Sequence, residues 1–594
     1  MIICSKFGWF SFVASLTIAI FSVIAANQAT IAQDVADTFA PELSSGKTEK
    51  SIVTSKQHMV VAANPHASHA GEEILRKGGN AIDAMVAVQL VLGLVEPQSS
   101  GLGGGAFLVY FDNDAKELTT FDGRETAPLA ATRDMFLDSN GQPLNFFDAV
   151  IGGRSVGTPG TVKLLHDVHQ RYGKLPWSEL FNPALSLAEG GFEVSPRLHL
   201  LITNAAESLY KYKTTREYFL TEEGVPLFVG TLVRNAEYAQ TLKEIAKNGP
   251  IAFYSGTLAK RIVDTVQSAE GNPGRLSLED LAQYKTVERE PVCYRYREFD
   301  VCGMGPPSSG ALTVGQILGM VEAYDLTAYG PGNPVSWRLI GDATRLAFAD
   351  RSLYMADSDF AKMPKGLLNR PYIWDRSQYL IREKALEPVD VTPGKPPFDH
   401  AYDFGADNSL ELPSTSHFSI VDENGNVVSM TTTIENGFGS RLMVGGFLLN
   451  NELTDFSFVP EVDGKPVANR IEPGKRPRSS MAPTIILKDG KPVLAIGSPG
   501  GSRIIPYVAK TIIAWIDWDM NIQQAIEIPH LVNRFGTYDL EKGTAAESLA
   551  EPLEKLGFVT DIRDLNSGLH GIELKQDGLE GGADPRREGL AIGE

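Results

Sequence analysis

The residues predict an α+β protein in which two β-sheets pack face to face between helical layers. Three observations carry this. Residues 150 to 400 are mostly helical in pattern, and the texture changes to strands at residue 415. Two hairpins follow, at 417–434 and 484–496, and each is flanked by helical segments. Hairpins sandwiched by helices form an αββα layering.

The elements follow in order. Met59–Ala63 reads as a short apolar strand, and 34–57 as a polar tail without apolar periodicity. Ala67–Lys77 reads as a helix closed by Gly78-Gly79-Asn80, since glycine supplies the left-handed cap. Ala81–Val95 is a second helix, apolar all round and therefore buried. Ser99–Ala106 is glycine-rich and leads into the strand Phe107–Phe111. A phosphate loop needs a strand before and a helix after its glycines; here the order is reversed and no lysine follows, so the run reads as a tight turn with close backbone approach. Trp177–Glu189, Glu237–Lys247, Leu258–Ala269 and Thr313–Tyr324 are helical, the last opened by Pro306–Gly310. Glu387–Pro413 is rich in Pro, Asp and Gly and reads as an exposed, mobile connector. Then come the strand His417–Val421, the turn Asp422–Asn426 and the return Val427–Ile434. Thr484–Leu487, Lys488–Gly490 and Lys491–Ile496 form the second hairpin, and Ile504–Ile516 and Ile522–Ile528 are helical.

Composition bounds the function. The 594 residues, 43% hydrophobic and 21% charged, suffice for a large globular core. A net charge of −19 disfavours a nucleic-acid surface, which needs clustered cations. Lys6, the apolar run Phe7–Ala26 and the small residues Thr30-Ile31-Ala32 form an export signal over residues 1–32, with an uncleaved membrane anchor as the competing reading. Cys4 falls within that signal. Cys293 and Cys302 flank an alternating segment and form either a disulfide or two buried thiols; no second Cys or His cluster accompanies them to hold a metal.

No His-x-x-x-His pattern supports a zinc hydrolase, and no Gly-x-Ser-x-Gly elbow supports a serine hydrolase. What stands out is Pro413-Ser414-Thr415-Ser416-His417, where a connector ends, a threonine stands and a strand begins. A threonine hydroxyl is a poor nucleophile until a base takes its proton. At a chain terminus the α-amine, with a pKa near neutrality, is that base. Exposing it requires cleavage between Ser414 and Thr415.

Motifs along residues 58–590 resemble those of the γ-glutamyltransferase (γ-glutamyltranspeptidase) family, which has the N-terminal nucleophile hydrolase fold. They are Gly78-Gly-Asn-Ala-Ile-Asp83 with Gly101-Leu-Gly-Gly-Gly105, Phe121-Asp-Gly-Arg-Glu-Thr-Ala-Pro128, Ser414-Thr-Ser-His-Phe-Ser419, Leu449-Asn-Asn-Glu-Leu-Thr-Asp-Phe456, Lys475-Arg-Pro-Arg-Ser-Ser-Met481 and Gly497-Ser-Pro-Gly-Gly-Ser-Arg503. The resemblance implies a four-layer αββα sandwich formed jointly by two chains cut from one precursor, 33–414 and 415–594, which remain together as a heterodimer. It implies Thr415 as nucleophile, Thr433 as the hydroxyl that holds it, and Gly500 and Gly501 as the oxyanion hole. Arg124 with Ser479 and Ser480 would bind the substrate's α-carboxylate, and Glu435, Glu452 and Asp455 its α-ammonium. The substrates would be glutathione and other γ-glutamyl amides, the acceptors water, amino acids or peptides, and no metal or organic cofactor is required.

Two departures stand out. Some relatives carry amides where Glu435 and Glu452 stand; three converging carboxylates repel one another, which raises at least one pKa in the free enzyme. The segment Phe458–Gly474 is shorter than the lid of lid-bearing relatives and has no aromatic between Val459 and Gly474. Two other readings are a sister acylase that removes glutaryl-type side chains from cephalosporins, and an unprocessed secreted binding protein.

Overall fold

The computed structural model describes residues 42, 44–398, 403–407, 409 and 411–594. The export signal lies outside the described residues. Among the described residues no helix is long and apolar enough to cross a membrane.

Two seven-stranded antiparallel sheets form the centre. In the first, the strand order is Leu590–Gly593, Met59–Ala62, Ser416–Val421, Val427–Thr433, Gly105–Asp112, Glu117–Gly123 and Val287–Arg289. In the second it is Val53–Ser55, Gly578–Ala583, His570–Lys575, Lys491–Gly497, Thr484–Lys488, Phe299–Gly303 and Val292–Tyr296. The two expected hairpins thus sit in different sheets, each at the heart of its own. Both sheets contain strands from before and from after residue 415, so neither sheet forms without both parts of the chain.

Period-two alternation decides what faces what. Met59, Val61, Val109, Phe111, Val421, Val427, Ile485 and Ile572 meet between the sheets. Val60, Ala62, Val428 and Met430 point the other way, onto the helices Pro65–Arg76 and Ala81–Val95. The second sheet is covered by Gly310–Val321, Pro334–Tyr354 and Ile504–Ile516. This is the four-layer αββα sandwich. Ala81–Val95 is buried along its whole length, and its first turn is closed by a capping box between Asn80 and Asp83.

Toward one end the inter-sheet layer turns polar. Ser429 donates its hydroxyl to the Ile496 carbonyl at 3.1 Å and accepts from the Thr484 N–H at 3.1 Å. Ser419 donates to the His570 carbonyl at 3.0 Å, and the buried His417 ring lies between Thr431 and Ser419. Burial pushes His417 well below the usual imidazole range, so it is a neutral structural ring.

Two expectations are corrected. Order begins before Met59: Val53–Ser55 pairs with Leu579–Gly581 as an edge strand, and Glu42 forms ion pairs with the buried Arg197 and Arg587. The connector is not exposed throughout. Asp407, Leu412, Ser414 and Thr415 are buried, because its final residues lie against the pocket described below. Cys293 and Cys302 are directly opposite in the hairpin Val292–Gly303 and are bridged, with an S–S distance of 2.02 Å. The segment 458–474 is tied down at its base, where Phe458 stacks on Phe136 with ring centroids 4.6 Å apart. Farther along it forms a small hairpin, Glu461–Pro466, and Gly405 of the connector donates its N–H to Pro466.

Candidate active site

The junction lies at the start of a central strand. Ser416 pairs with Thr432 in an antiparallel register, so one step earlier Thr415 stands opposite Thr433. Both side chains then lie on the same face, toward the other sheet. The glycine run 101–105 brings its backbone against this strand end: a Cβ on Gly104 would collide with the Thr433 carbonyl. The close approach expected from that run is here, and its purpose is to let the return strand pack.

The hydroxyls form a directed chain. Thr415 donates to the Thr433 hydroxyl at 3.4 Å, and Thr433 donates to the Ser414 carbonyl at 3.0 Å. The Glu435 N–H donates to the Thr433 hydroxyl at 2.8 Å. Thr433 therefore has one donor and two acceptor positions filled, which fixes the direction of its O–H. The hydroxyl beside the junction and the carbonyl before it are joined through one intermediary.

Both sides of the junction are clamped. Ser414 donates its hydroxyl to the Gln98 carbonyl at 2.8 Å, and Arg587 donates to the Thr415 carbonyl at 3.1 Å. Ser416 donates to the Glu96 carboxylate at 3.0 Å. Ser414 and Thr415 are only 2% and 4% exposed, so the peptide bond between them is out of reach of an external protease.

Arg124, Thr415, Thr433, Glu435, Glu452, Asp455, Ser479, Ser480 and Gly501 line one pocket. These residues come from six separate stretches of sequence. Gly500 adjoins the pocket at the start of the turn into the helix Ile504–Ile516, with φ of 139°, and Gly501 follows with φ of 56°. Successive positive φ values are accessible to glycine at little strain. A Cβ on Gly501 would also meet the Leu412 carbonyl at 2.9 Å.

The Arg124 guanidinium is buried and paired with both Glu452 and Asp455; it also donates to the Arg478 carbonyl at 2.9 Å. Glu435 accepts from the Asn451 side-chain amide and holds a φ of 73°, a conformation rare for a side chain of this size. Burial, reinforced by repulsion from neighbouring carboxylates (Glu125 in the case of Glu452), holds the Glu435, Glu452 and Asp455 carboxyls well above the usual range, against the pull of Arg124. Burial also pushes the neighbouring Glu125 carboxyl up to about 7.

Sequence reasoning missed Glu411, which lines the same pocket and is bound by Arg351, Ser480 and Arg478. It also missed Asn451, Arg587 and Arg351. Asn451 and Arg478 lie inside motifs already quoted, so position alone could have drawn them in. Glu411, Arg351 and Arg587 carry no local signal. The free volume left in the pocket is about 20 Å³, room for no more than one water.

Residues 67–594 match the family model described as gamma-glutamyltranspeptidase. The chain is 38% identical over 560 residues to the glutathione hydrolase proenzyme of Bacillus subtilis (strain 168), covering 92% of each. It is 38% identical over 562 residues to that of Escherichia coli (strain K12), covering 92% of this chain and 94% of the relative. Its fold is similar to the crystal structure of cephalosporin acylase from Bacillus halodurans, with a TM-score of 0.81 and 25% identity over 94% of this chain and 99% of that one. A buried Ser-Thr junction and its hydroxyl chain stand at the start of a central strand of an αββα sandwich, and with these matches the chain belongs to the γ-glutamyltranspeptidase family of enzymes.

Proposed function

We propose that this chain is an exported, self-cleaving γ-glutamyltransferase and glutathione hydrolase whose nucleophile is Thr415. The observation that carries the reading is the chain Thr415 hydroxyl, Thr433 hydroxyl, Ser414 carbonyl. When the Thr415 Oγ attacks the Ser414 carbonyl carbon, its proton has a path through Thr433 to the oxygen on which negative charge develops. Collapse passes that proton from the oxygen to the Thr415 nitrogen, breaks the C–N bond and leaves the Ser414 acyl group as an ester on the Thr415 Oγ. Water hydrolyses the ester, freeing the Ser414 carboxylate, the Thr415 hydroxyl and its α-amine. The products are the large chain 33–414, once the signal 1–32 is removed, and the small chain 415–594. They remain a heterodimer because each sheet needs strands from both.

The freed α-amine then serves as base for the same hydroxyl. Thr415 attacks the γ-amide carbonyl of glutathione or another γ-glutamyl compound, and the N–H groups of Gly500 and Gly501 stabilise the oxyanion. The amine leaves and a γ-glutamyl ester remains on Thr415. Water resolves it to glutamate, or an amino acid or peptide amine takes the γ-glutamyl group. Arg124, Ser479 and Ser480 bind the α-carboxylate, and Glu435, Glu452 and Asp455 the α-ammonium.

The likeness to a cephalosporin acylase raises a glutaryl acylase as the second reading. A glutaryl group has no α-ammonium, and three buried carboxyls without a cationic partner from the substrate do not suit it. The deciding experiment compares γ-glutamyl with glutaryl p-nitroanilide. The expected kcat/KM preference for the γ-glutamyl compound is about 10²-fold or more; an equal or reversed preference assigns the chain to the acylases.

The same carboxyls set a pH dependence. Their pKa values are raised by burial, so in the free enzyme the cluster keeps its protons to a higher pH than ordinary carboxyls do. An ammonium favours the ionised form, and binding releases protons. Apparent KM for γ-glutamyl p-nitroanilide should therefore fall as pH rises from about 5 to about 8. A flat profile over that range removes the cluster from the ammonium site.

A further inference from the structure

Thr415 and Ser416, the two residues that follow the junction, are the two ends of one buried charge network. Arg587 donates to the Thr415 carbonyl at 3.1 Å through one terminal nitrogen and pairs with Glu42 at 3.0 Å through the other. Glu42 also pairs with Arg197. Arg197 lies 3.5 Å from Glu96, and Glu96 accepts the Ser416 hydroxyl at 3.0 Å. The order is therefore Thr415 carbonyl, Arg587, Glu42, Arg197, Glu96, Ser416 hydroxyl. All four charged side chains are buried. The segment that follows Glu42 is stitched to the turn that carries Arg587. The Thr48 N–H donates to the Pro585 carbonyl at 2.8 Å, the Lys50 ammonium to the Gly589 carbonyl at 2.8 Å, and Lys47 pairs with Glu541.

Glu42 is the carboxylate that pairs with both arginines. The other carboxylates nearby have their own tasks: Glu96 holds Ser416, Asp584 pairs with Arg586 at 3.1 Å, and Glu588 accepts the Arg197 backbone N–H at 3.0 Å. Burial and the charge of Arg197 push the Arg587 guanidinium below its usual range, and Glu42 is foremost among the groups that oppose them. A buried guanidinium that loses its carboxylate turns toward whatever acceptor or water remains. Cutting makes this matter. Thr415 stands one residue before the strand ladder, whose first register is Ser416 with Thr432. Once the bond to Ser414 is broken, Thr415 is a chain end, and chain ends fray unless they are tied. The ties lie on its C-terminal side, from its carbonyl to Arg587 and from the next side chain to Glu96. Together they fix the peptide plane between Thr415 and Ser416, and with it the direction of the Thr415 hydroxyl and α-amine. Given the reading of Thr415 above as a self-cleaving nucleophile, we infer that Glu42 is a positioning residue for Thr415: it sets the Arg587 guanidinium that holds the nucleophile's own carbonyl. Glu42 touches no substrate. It also ties the part of the chain before the cut to the part after it.

The test is made on the two-chain enzyme with γ-glutamyl p-nitroanilide, counting enzyme by the small chain that begins at Thr415. Glu42→Ala should lower kcat by about tenfold and leave KM within about twofold. Tens of millimolar formate, a carboxylate small enough for the vacated place between the two guanidinium groups, should restore kcat severalfold; chloride at the same ionic strength should not. Arg587→Lys cannot span both partners. It should lose kcat comparably, gain nothing from formate, and lose little more when Glu42→Ala is added, because both changes break one path. An unchanged kcat in Glu42→Ala, a loss carried by KM, equal recovery in formate and chloride, or additive losses in the double variant each overturn the assignment. Should Glu42→Ala fold but stay uncut, the formate and chloride arms are read on the rate at which the uncut band disappears. Should it not fold, Glu42→Gln, which keeps the shape and loses the charge, takes its place: a lower kcat at wild-type KM supports the assignment, and a wild-type kcat overturns it. A wild-type protein that is never cut, or that is cut and inactive on γ-glutamyl p-nitroanilide, would instead remove the functional reading itself.

Discussion

Thr415→Ala is expected to give a single full-length band on a denaturing gel after signal removal, and γ-glutamyl transfer reduced on the order of 10⁴-fold or more. The wild type should give two bands, the smaller beginning at Thr415 by N-terminal sequencing. Alanine removes the attacking oxygen and, with it, the event that creates the α-amine base; one substitution abolishes both chemistries. It should not unfold the protein. The Thr415 side chain makes one long hydrogen bond, at 3.4 Å, and the strand around it is held by ten backbone registers to its two neighbours. The junction is buried, so the uncut variant should also resist added protease at that bond. Thr415→Ser keeps the hydroxyl and should still mature and turn over, more slowly. Two bands from Thr415→Ala would mean that another nucleophile, or another protein, makes the cut.

Much of the sandwich was legible because its signals are local. Val427–Thr433 and Lys491–Gly497 are strands that follow turns of Asn, Asp and Gly, and Ala81–Val95 is too apolar for a surface helix. Thr415 was different. A threonine at the start of a strand is ordinary, and only the ordered motifs around it gave Arg124, Thr433, Asp455, Ser479, Gly500 and Gly501 a common address. Most of those residues converge on one pocket. What stayed hidden depends on distant partners. Val53–Ser55 has three residues and finds its partner more than 500 positions away. The connector has no apolar periodicity, so it read as exposed. Its last residues are buried through ion pairs to Arg351 and Arg478, 60 and 67 positions away. Burial by ion pairing leaves no periodicity in the sequence. Arg351 itself lay in a stretch that read only as mostly helical.

Thr433→Val should slow self-cleavage by about 10²–10³-fold, the usual loss when a donor to a developing oxyanion is removed. Valine keeps the branched shape and a good strand propensity, so packing and register should survive. It removes the hydroxyl that both accepts from Thr415 and donates to the Ser414 carbonyl. It also strands the Glu435 N–H, whose loop already carries an unfavourable φ of 73°. Following the uncut band over time in purified precursor measures the rate directly. Thr433→Ser, which retains the hydroxyl, should recover the rate to within about tenfold. The comparison separates a proton path from a mere positioning contact. A hydroxyl that only orients Thr415 would matter most for turnover by the mature enzyme, where Thr415 has its own amine as base. A hydroxyl that carries the proton to the Ser414 oxygen matters most before that amine exists. The larger defect should therefore fall on maturation, with a smaller one on kcat of whatever enzyme finally matures. The reverse order would leave Thr433 a positioning group and require another route for the proton to the Ser414 oxygen.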